Sequence, residues 1–168
     1  MKVALVPLGD VPRDLLARLS DALADFGIAC EIHAKMPLPE GAYDPTRGQY
    51  DADRLLSELE GGSSHVLGVT GEDLYSAGLK FVFGLAALET PRALMSYARL
   101  RASDPALFLT RLVKESVHEI GHSLGLPHCG TAGCVMQFSN SLAEADAKGT
   151  RFCDACRART PVALGPGP

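Results

Sequence analysis

Two histidines four residues apart, with a glutamate directly after the first, give this 168-residue sequence its clearest chemical signal. His118, Glu119 and His122 lie in a stretch whose apolar residues recur every three or four positions, which predicts a buried helix. On such a helix the two imidazoles share a face about 6 Å apart along the axis, so both can reach one metal ion. Glu119 follows the first histidine and can reach a water on the same ion.

A third histidine follows after a predicted turn. Gly125 can adopt the positive φ that ends a helix, and Pro127 prevents the helix from resuming, so His128 can turn back as a third ligand. Three neutral nitrogens leave the fourth position of a zinc ion open for water, which is typical of catalytic sites. A chance pair of histidines on an exposed helix is one alternative. A zinc site that binds metal without turning over a substrate is another.

Four of the five cysteines lie together in the segment that follows. Cys129 and Cys134 form one close pair, and Cys153 and Cys156 form a C-x-x-C. Two such pairs in a loop-rich segment predict a second, tetrahedral zinc site that is closed and therefore structural. The alternatives are two disulfides or four unconnected thiols. Nothing marks the chain for export, which disfavours disulfides.

The region from the first histidine to the last cysteine resembles the archaemetzincins, a branch of the metzincin clan of zinc peptidases. The matching features are the histidine after a glycine turn, the cysteine directly after it, a methionine two residues beyond Cys134 and the later C-x-x-C. Sixteen residues separate Met136 from Cys153, one fewer than in the family pattern, and a loop absorbs such a difference readily. Weaker matches lie at 47–50, 73–75, 81–86 and 138–142.

The resemblance implies a role for each of these residues. It implies a catalytic zinc and, on the four cysteines, a structural zinc, hence two zinc ions per chain. The catalytic ligands would be His118, His122 and His128. Glu119 would be the general base that activates zinc-bound water, and Met136 the methionine of the turn beneath the metal. In some metzincins a tyrosine after that turn assists, but all four tyrosines here lie upstream, so we expect no such residue.

The strands and helices predicted from the sequence, which must position these residues, indicate one α/β domain over residues 1–168. Residues 1–126 would form a mixed, mostly parallel sheet with helices and end in the long active-site helix. Residues 127–168 would form a small zinc-stapled part, with 165–168 as a frayed tail. We expect strands at 2–8, 28–34, 65–70, 81–88 and 93–100. One helix would begin near Asp10 and end at Gly27, a second would begin at Asp51 or Asp53 and end at 61–62, and the long third helix would begin at Asp104. Residues 35–50 would form a long loop.

The strand at 81–88 bears on mechanism because it follows a loop and leads directly into the next strand. It is therefore expected to run antiparallel at the edge of the sheet. In metzincins the corresponding strand lines the cleft, and an extended peptide adds to it through main-chain hydrogen bonds. Phe83, Gly84 and Leu85 are the candidate substrate contacts. Gly84 would either admit the substrate backbone closely or mark a β-bulge.

The charge and the hydropathy of the chain disfavour several classes of function. The net charge is −4 and there is no basic run, which disfavours nucleic acid and a zinc-ribbon-like binding module. No stretch approaches the ~20 apolar residues of a membrane span, and the N-terminus is a poor signal peptide. We expect a cytoplasmic monomer that hydrolyses short peptides or acts at amino termini. The alternative is a zinc-stabilised peptide-binding protein with little or no turnover.

Overall fold

A mixed sheet forms the centre of the molecule in the computed structural model, which describes residues 1–60, 65–88 and 90–160. The strands are β1 (Lys2–Leu8), β2 (Ala29–Ile32), β3 (Tyr43–Asp44), β4 (Gln49–Asp51), β5 (His65–Thr70), β6 (Leu74–Tyr75), β7 (Gly84–Ala86) and β8 (Arg92–Ser96). The helices are α1 (Arg13–Ala24), α2 (Ala52–Glu58), α3 (Pro105–Ser123), α4 (Leu142–Ala147) and α5 (Asp154–Arg157).

The large sheet has the strand order β2-β1-β5-β8-β7. Its neighbours are parallel except for β7, which pairs antiparallel with β8 at the edge. The predicted α/β class and the antiparallel edge strand are therefore confirmed. A second, small sheet in the described part of the chain has the order β3-β4-β6.

Strand β1 is apolar on both faces because helices cover both sides of the sheet. Val3 and Leu5 pack into the cluster that includes the apolar sides of α1 and α3. Val6 and Leu8 point the opposite way, into the cluster that includes α2. This alternation is the period-two pattern of a strand, and its burial on both faces is what a parallel sheet requires.

Helix α3 carries the candidate site and is anchored at both ends by its sequence. The Asp104 side chain accepts a hydrogen bond from the Ala106 N–H at 2.9 Å, and Pro105 occupies the first turn. Nineteen residues extend the helix about 28 Å across the sheet. Its buried apolar stripe holds it there, and the residues of this stripe include Leu112, Val113, Val117 and Ile120.

Several boundaries differ from the predicted ones. Only Gly84–Ala86 of the segment 81–88 is a strand, since Val82 instead bridges to Leu74 of the small sheet. The predicted strand at 93–100 runs over Arg92–Ser96, and that at 28–34 over Ala29–Ile32. The predicted loop at 35–50 contains β3 and the start of β4. Helix α2 ends at Glu58, and both its predicted end at 61–62 and the tail at 165–168 lie outside the described residues.

The segment after α3 is short and mostly irregular, and polar contacts tie it to that helix. The guanidinium of Arg111 donates two hydrogen bonds to the Asp146 carboxylate, at 2.6 and 2.7 Å. Lys114 Nζ donates to the backbone carbonyl of Asp146 at 2.7 Å. Within residues 1–60, 65–88 and 90–160, no helix combines the length and apolar character needed to cross a bilayer.

Candidate active site

The three predicted histidines meet at one point. The Nε2 atom of His122 lies 3.1 Å from that of His118 and 3.3 Å from that of His128. A tetrahedral zinc with Zn–N distances of 2.0–2.1 Å separates its ligand nitrogens by about 3.3–3.4 Å. The donor set therefore has the size and chemistry that a zinc ion needs.

Backbone carbonyls fix the orientation of the two helical histidines. His118 Nδ1 lies 2.8 Å from the Val135 oxygen, and His122 Nδ1 lies 2.7 Å from the Leu126 oxygen. Each Nδ1–H can donate to its carbonyl, which leaves the Nε2 lone pair directed at the meeting point. Burial lowers the pKa of His118 to about 2 and that of His122 to about 4, and partial burial of the more exposed His128 lowers its pKa as well. All three rings are thus neutral at pH 7, as metal ligands must be.

The turn after α3 brings the third histidine back to the first two. Gly125 has a φ of +86°, and its N–H donates to the His122 carbonyl at 2.8 Å. The Leu126 N–H donates to the Gly121 carbonyl at 3.0 Å, which completes a glycine-ended helix terminus. His128 then lies exposed against the ring of Phe138, with a centroid distance of 5.1 Å.

Glu119 is almost fully buried beside the histidines and lies against strand β7. Its Oε2 atom has no hydrogen-bond partner among the described residues. A Cβ atom built on Gly84 would lie 2.6 Å from both Cγ and Oε1 of Glu119, so only glycine leaves room for this side chain. The register of β7 with β8 is unbroken from Gly84 to Ala86, which is not the pattern of a bulge. The space beside Gly84 is thus occupied by the protein's own carboxylate.

Two further ionisable residues line the same cleft, and the sequence analysis missed both. Glu115 precedes Glu119 by four residues on α3, and Lys148 follows α4. Lys148 Nζ lies 3.3 Å from Glu115 Oε2, and both side chains are buried. Burial raises the pKa of Glu119, the Glu115 carboxylate raises it further, and Lys148 opposes the increase. The helical spacing of 115, 118, 119 and 122 was an available signal for Glu115, whereas nothing local indicated Lys148.

Met136 is fully buried and lies against Gly121 of the active-site helix. A Cβ atom on Gly121 would lie 2.5 Å from Met136 Sδ and 2.9 Å from the Phe152 ring. The Met136 carbonyl also accepts a hydrogen bond from the Cys129 N–H at 2.9 Å. The methionine therefore connects the active-site helix to the segment that carries the third histidine and the first cysteine.

The four clustered cysteines also converge, and none of them forms a disulfide. The Sγ atoms of Cys129 and Cys153 are 3.8 Å apart, as are those of Cys134 and Cys156. A disulfide bond is about 2.05 Å long, whereas a tetrahedral site with Zn–S distances of 2.3 Å has edges of about 3.8 Å. A hydrogen bond from the Cys156 N–H is the main cause that lowers the pKa of Cys153 to about 6, whereas burial raises the pKa values of Cys134 and Cys156. It is the spacing of the four sulfurs that suits a metal that binds thiolates.

The cleft that joins these groups has a volume of about 340 Å³. Its lining includes strand β7 and the segment before it, the three histidines with Glu119, and residues 138–140, which we call the wall. Exposed apolar side chains lie at its rim: Leu79, Leu88 and Phe138. No tyrosine belongs to the described lining.

Of the upstream segments that resembled the family, 81–86 lines the cleft, and Gln49 of 47–50 contacts both 73–75 and the loop that precedes 81–86. Gln49 Nε2 donates to the Asp73 carboxylate at 3.0 Å and to the Lys80 carbonyl at 3.1 Å. Asp73 accepts two hydrogen bonds from Arg99, whose guanidinium lies 4.3 Å from the centre of the Phe81 ring. These contacts hold the loop that leads into β7, and so hold Phe81 at the cleft.

Comparison with known proteins places the chain among zinc peptidases. A family profile described as peptidase family M54 matches residues 13–160. The archaemetzincin of Methanopyrus kandleri is 44% identical over 163 residues, with 93% of both chains covered. That of Methanocaldococcus jannaschii is 41% identical over 162 residues, covering 93% of this chain and 90% of the relative.

Solved structures show the same relationship. The crystal structure of the Archaeoglobus fulgidus archaemetzincin complexed with malonate superposes with a TM-score of 0.89 at 39% identity, covering 95% of this chain and 99% of the other. The M. kandleri archaemetzincin structure gives a TM-score of 0.85 at 42% identity, covering 94% and 92%. The fold and the zinc-peptidase chemistry expected from the sequence therefore have independent support.

Proposed function

Since the chain belongs to peptidase family M54 and is a zinc metallopeptidase, we propose how its own residues hydrolyse a peptide bond. The observation that carries the proposal is the convergence of three Nε2 atoms, at 3.1 and 3.3 Å from their neighbours, beside the buried Glu119 carboxylate. The Oε2 atom of that carboxylate has no hydrogen-bond partner among the described residues. His118, His122 and His128 would hold the catalytic zinc. Bound there, zinc supplies Lewis acidity, which lowers the pKa of a coordinated water and polarises the peptide carbonyl.

Glu119 would act as the general base. Its carboxylate accepts the proton of the attacking water and then delivers that proton to the nitrogen of the leaving amine. Because Gly84 has no side chain, the Glu119 carboxylate can lie directly against β7, where it is buried from bulk solvent. With no tyrosine in the described lining, Glu119 is the residue that handles the proton in this mechanism.

The substrate would lie along β7 as an extended peptide. Phe83, Gly84 and Leu85 would offer main-chain groups at the sheet edge, where an added strand completes the hydrogen-bonding pattern. The cleft volume of about 340 Å³ is within the range of small-ligand sites, so it would enclose only a few residues. We therefore propose short peptides or free amino termini as substrates rather than folded proteins.

A second zinc would be held by Cys129, Cys134, Cys153 and Cys156. It would be structural, because all four positions are filled by the protein. The covalent neighbour of Cys129 is His128, so this site would also fix the third catalytic ligand. Free thiols at this spacing suit a reducing compartment such as the cytoplasm. That location and the expected monomer stay predictions.

The test is the variant E119Q assayed beside the wild type on a short-peptide library, a denatured protein and the same protein folded. We expect E119Q to lose hydrolysis and keep both zinc ions, since the glutamate is not a ligand. A chelator should abolish wild-type cleavage, and added zinc should restore it. Retained activity in E119Q would remove Glu119 as the base. Preferential cleavage of the folded protein would overturn the substrate proposal. A zinc-loaded wild type that binds peptides without cutting them would favour the peptide-binding alternative.

A further inference from the structure

Glu115 and Lys148 form a buried ion pair in the lining of the cleft, and we call this pair the floor of the cleft. The Glu115 and Lys148 side chains are 5% and 2% exposed, and both residues belong to the lining of the cavity that contains the histidines. Burying two opposite charges carries a desolvation penalty that their attraction often fails to offset, and apolar residues of similar volume often stabilise such a position better. A stability role alone is therefore a weak reason for this pair.

The position of Lys148 is built by several contacts that fix the chain just before it. Arg111 binds the Asp146 carboxylate with two hydrogen bonds, and Lys114 Nζ donates to the carbonyls of Ala145 and Asp146. The Lys148 N–H donates to the Glu144 carbonyl at 3.1 Å. These contacts fix the backbone around Lys148 and thereby place its ammonium group at the floor of the cleft.

The floor retains capacity for hydrogen bonding. An ammonium has three N–H donors, and among the described residues Lys148 Nζ has one hydrogen bond, to Glu115 Oε2 at 3.3 Å. The Ser139 hydroxyl in the adjacent wall is buried, with no partner in the part of the chain that the structure describes. Buried polar groups of this kind favour a ligand group that can complete their hydrogen bonds.

We infer that the Glu115–Lys148 pair selects a substrate side chain with an uncharged amide head, of which glutamine is the best fit. This inference rests on the proposed peptidase function and specifies its substrate. An amide oxygen can accept from Lys148 while the amide N–H₂ donates to Glu115. A cationic side chain would be attracted by Glu115 but repelled by Lys148, and an anionic one would meet the reverse. Neither therefore gains a net charge attraction from the pair, whereas an amide can bond to both members. The apolar rim of Leu79, Leu88 and Phe138 suits the aliphatic stem of such a residue.

The test measures kcat/KM for a set of hexapeptides. In each peptide one position near the cleaved bond carries Gln, Met, Glu or Lys, and the positions on both sides of the bond are varied one at a time. At one position we expect the wild type to prefer Gln by about tenfold or more, because a site with buried polar groups rejects ligands that leave them unpaired. Removing one charge should redirect the preference. K148M should shift it toward Lys, and E115Q should shift it toward Glu, each by about tenfold.

Two controls separate selectivity from general damage. K35M removes an exposed lysine–carboxylate pair, Lys35–Asp10, outside the cleft lining, and it should leave the substrate ranking unchanged. If a single variant fails to fold, the double variant E115L/K148M removes both buried charges and should prefer Met over Gln. The same ranking in the wild type and in this double variant would overturn the inference.

Failure of the inference is distinguishable from failure of the proposed function. If the wild type cleaves peptides in a Glu119-dependent way but shows no preference for Gln at any position, the inference alone is wrong. If no peptide is cleaved, the proposed function is wrong. The affinities of the same hexapeptides for zinc-loaded E119Q then decide the inference: tighter binding of the Gln peptide supports it, and equal binding overturns it.

Discussion

Replacing Gly84 with alanine tests how the edge strand packs against Glu119, the proposed general base. The new Cβ atom would lie 2.6 Å from Cγ and Oε1 of Glu119 and 2.7 Å from Cδ, whereas ordinary van der Waals contact begins at 3.4 Å. Glu119 is buried, so it must shift by roughly 0.8 Å or push β7 away. A misplacement of about 1 Å in a catalytic group can lower the rate by about a hundredfold. We expect kcat/KM to fall by this order of magnitude.

The assay separates two explanations of the glycine. A displaced base lowers kcat and leaves KM nearly unchanged, whereas an obstructed substrate backbone, the role considered from the sequence alone, raises KM. Zinc content should equal that of the wild type, because Glu119 is not a proposed ligand. G130A is the matched control, since a Cβ atom on Gly130 meets nothing within 4 Å. Wild-type kcat and KM in zinc-loaded G84A would refute the reasoning.

Two further predictions concern the cysteine zinc site and the dependence of stability on pH. C153S should lower the zinc content below two ions per chain. It should also lower the zinc affinity of the histidine site, because Cys129 adjoins His128. One zinc ion held by the histidines with wild-type affinity would refute that coupling. Metal-free E119Q, in which the Glu119 titration is absent, should lose stability as the pH falls from about 6.5 toward 4, as measured by denaturant unfolding. The reason is that unfolded imidazoles take up protons in this range, whereas the pKa of His122 is about 4 and that of His118 about 2. A flat stability profile across this range would contradict the stated cause.

Local sequence patterns were sufficient for the main parts of the fold. The apolar run of β1 and the capped, striped α3 each carry their own periodicity, so their existence followed from nearby residues. The small sheet did not follow, because β3, β4 and β6 have only two or three residues each. Such short strands exist through pairing with distant segments. The same pairing draws Val82 toward Leu74 and shortens the predicted edge strand to Gly84–Ala86.

The candidate site divides in the same way. His118, Glu119 and His122 share one helix, and the turn at Gly125 has its own signal, so their grouping was predictable. Lys148 reaches the cleft only because Asp146 and its backbone bind Arg111 and Lys114, contacts that span more than thirty residues. The sequence indicated a special role for Gly84, but the contact between Gly84 and Glu119 follows from how α3 crosses the sheet. Long-range packing therefore determines the parts of the site that the sequence could not give.

The most direct test of the central claim is anomalous diffraction at the zinc edge from crystals grown with zinc supplied. We predict one ion bound to the Nε2 atoms of His118, His122 and His128, with its remaining position open to solvent and Glu119 alongside. A second ion should lie among the four cysteine sulfurs. Imidazoles that point apart, or a side chain of this protein filling the fourth position at the histidine site, would contradict the account.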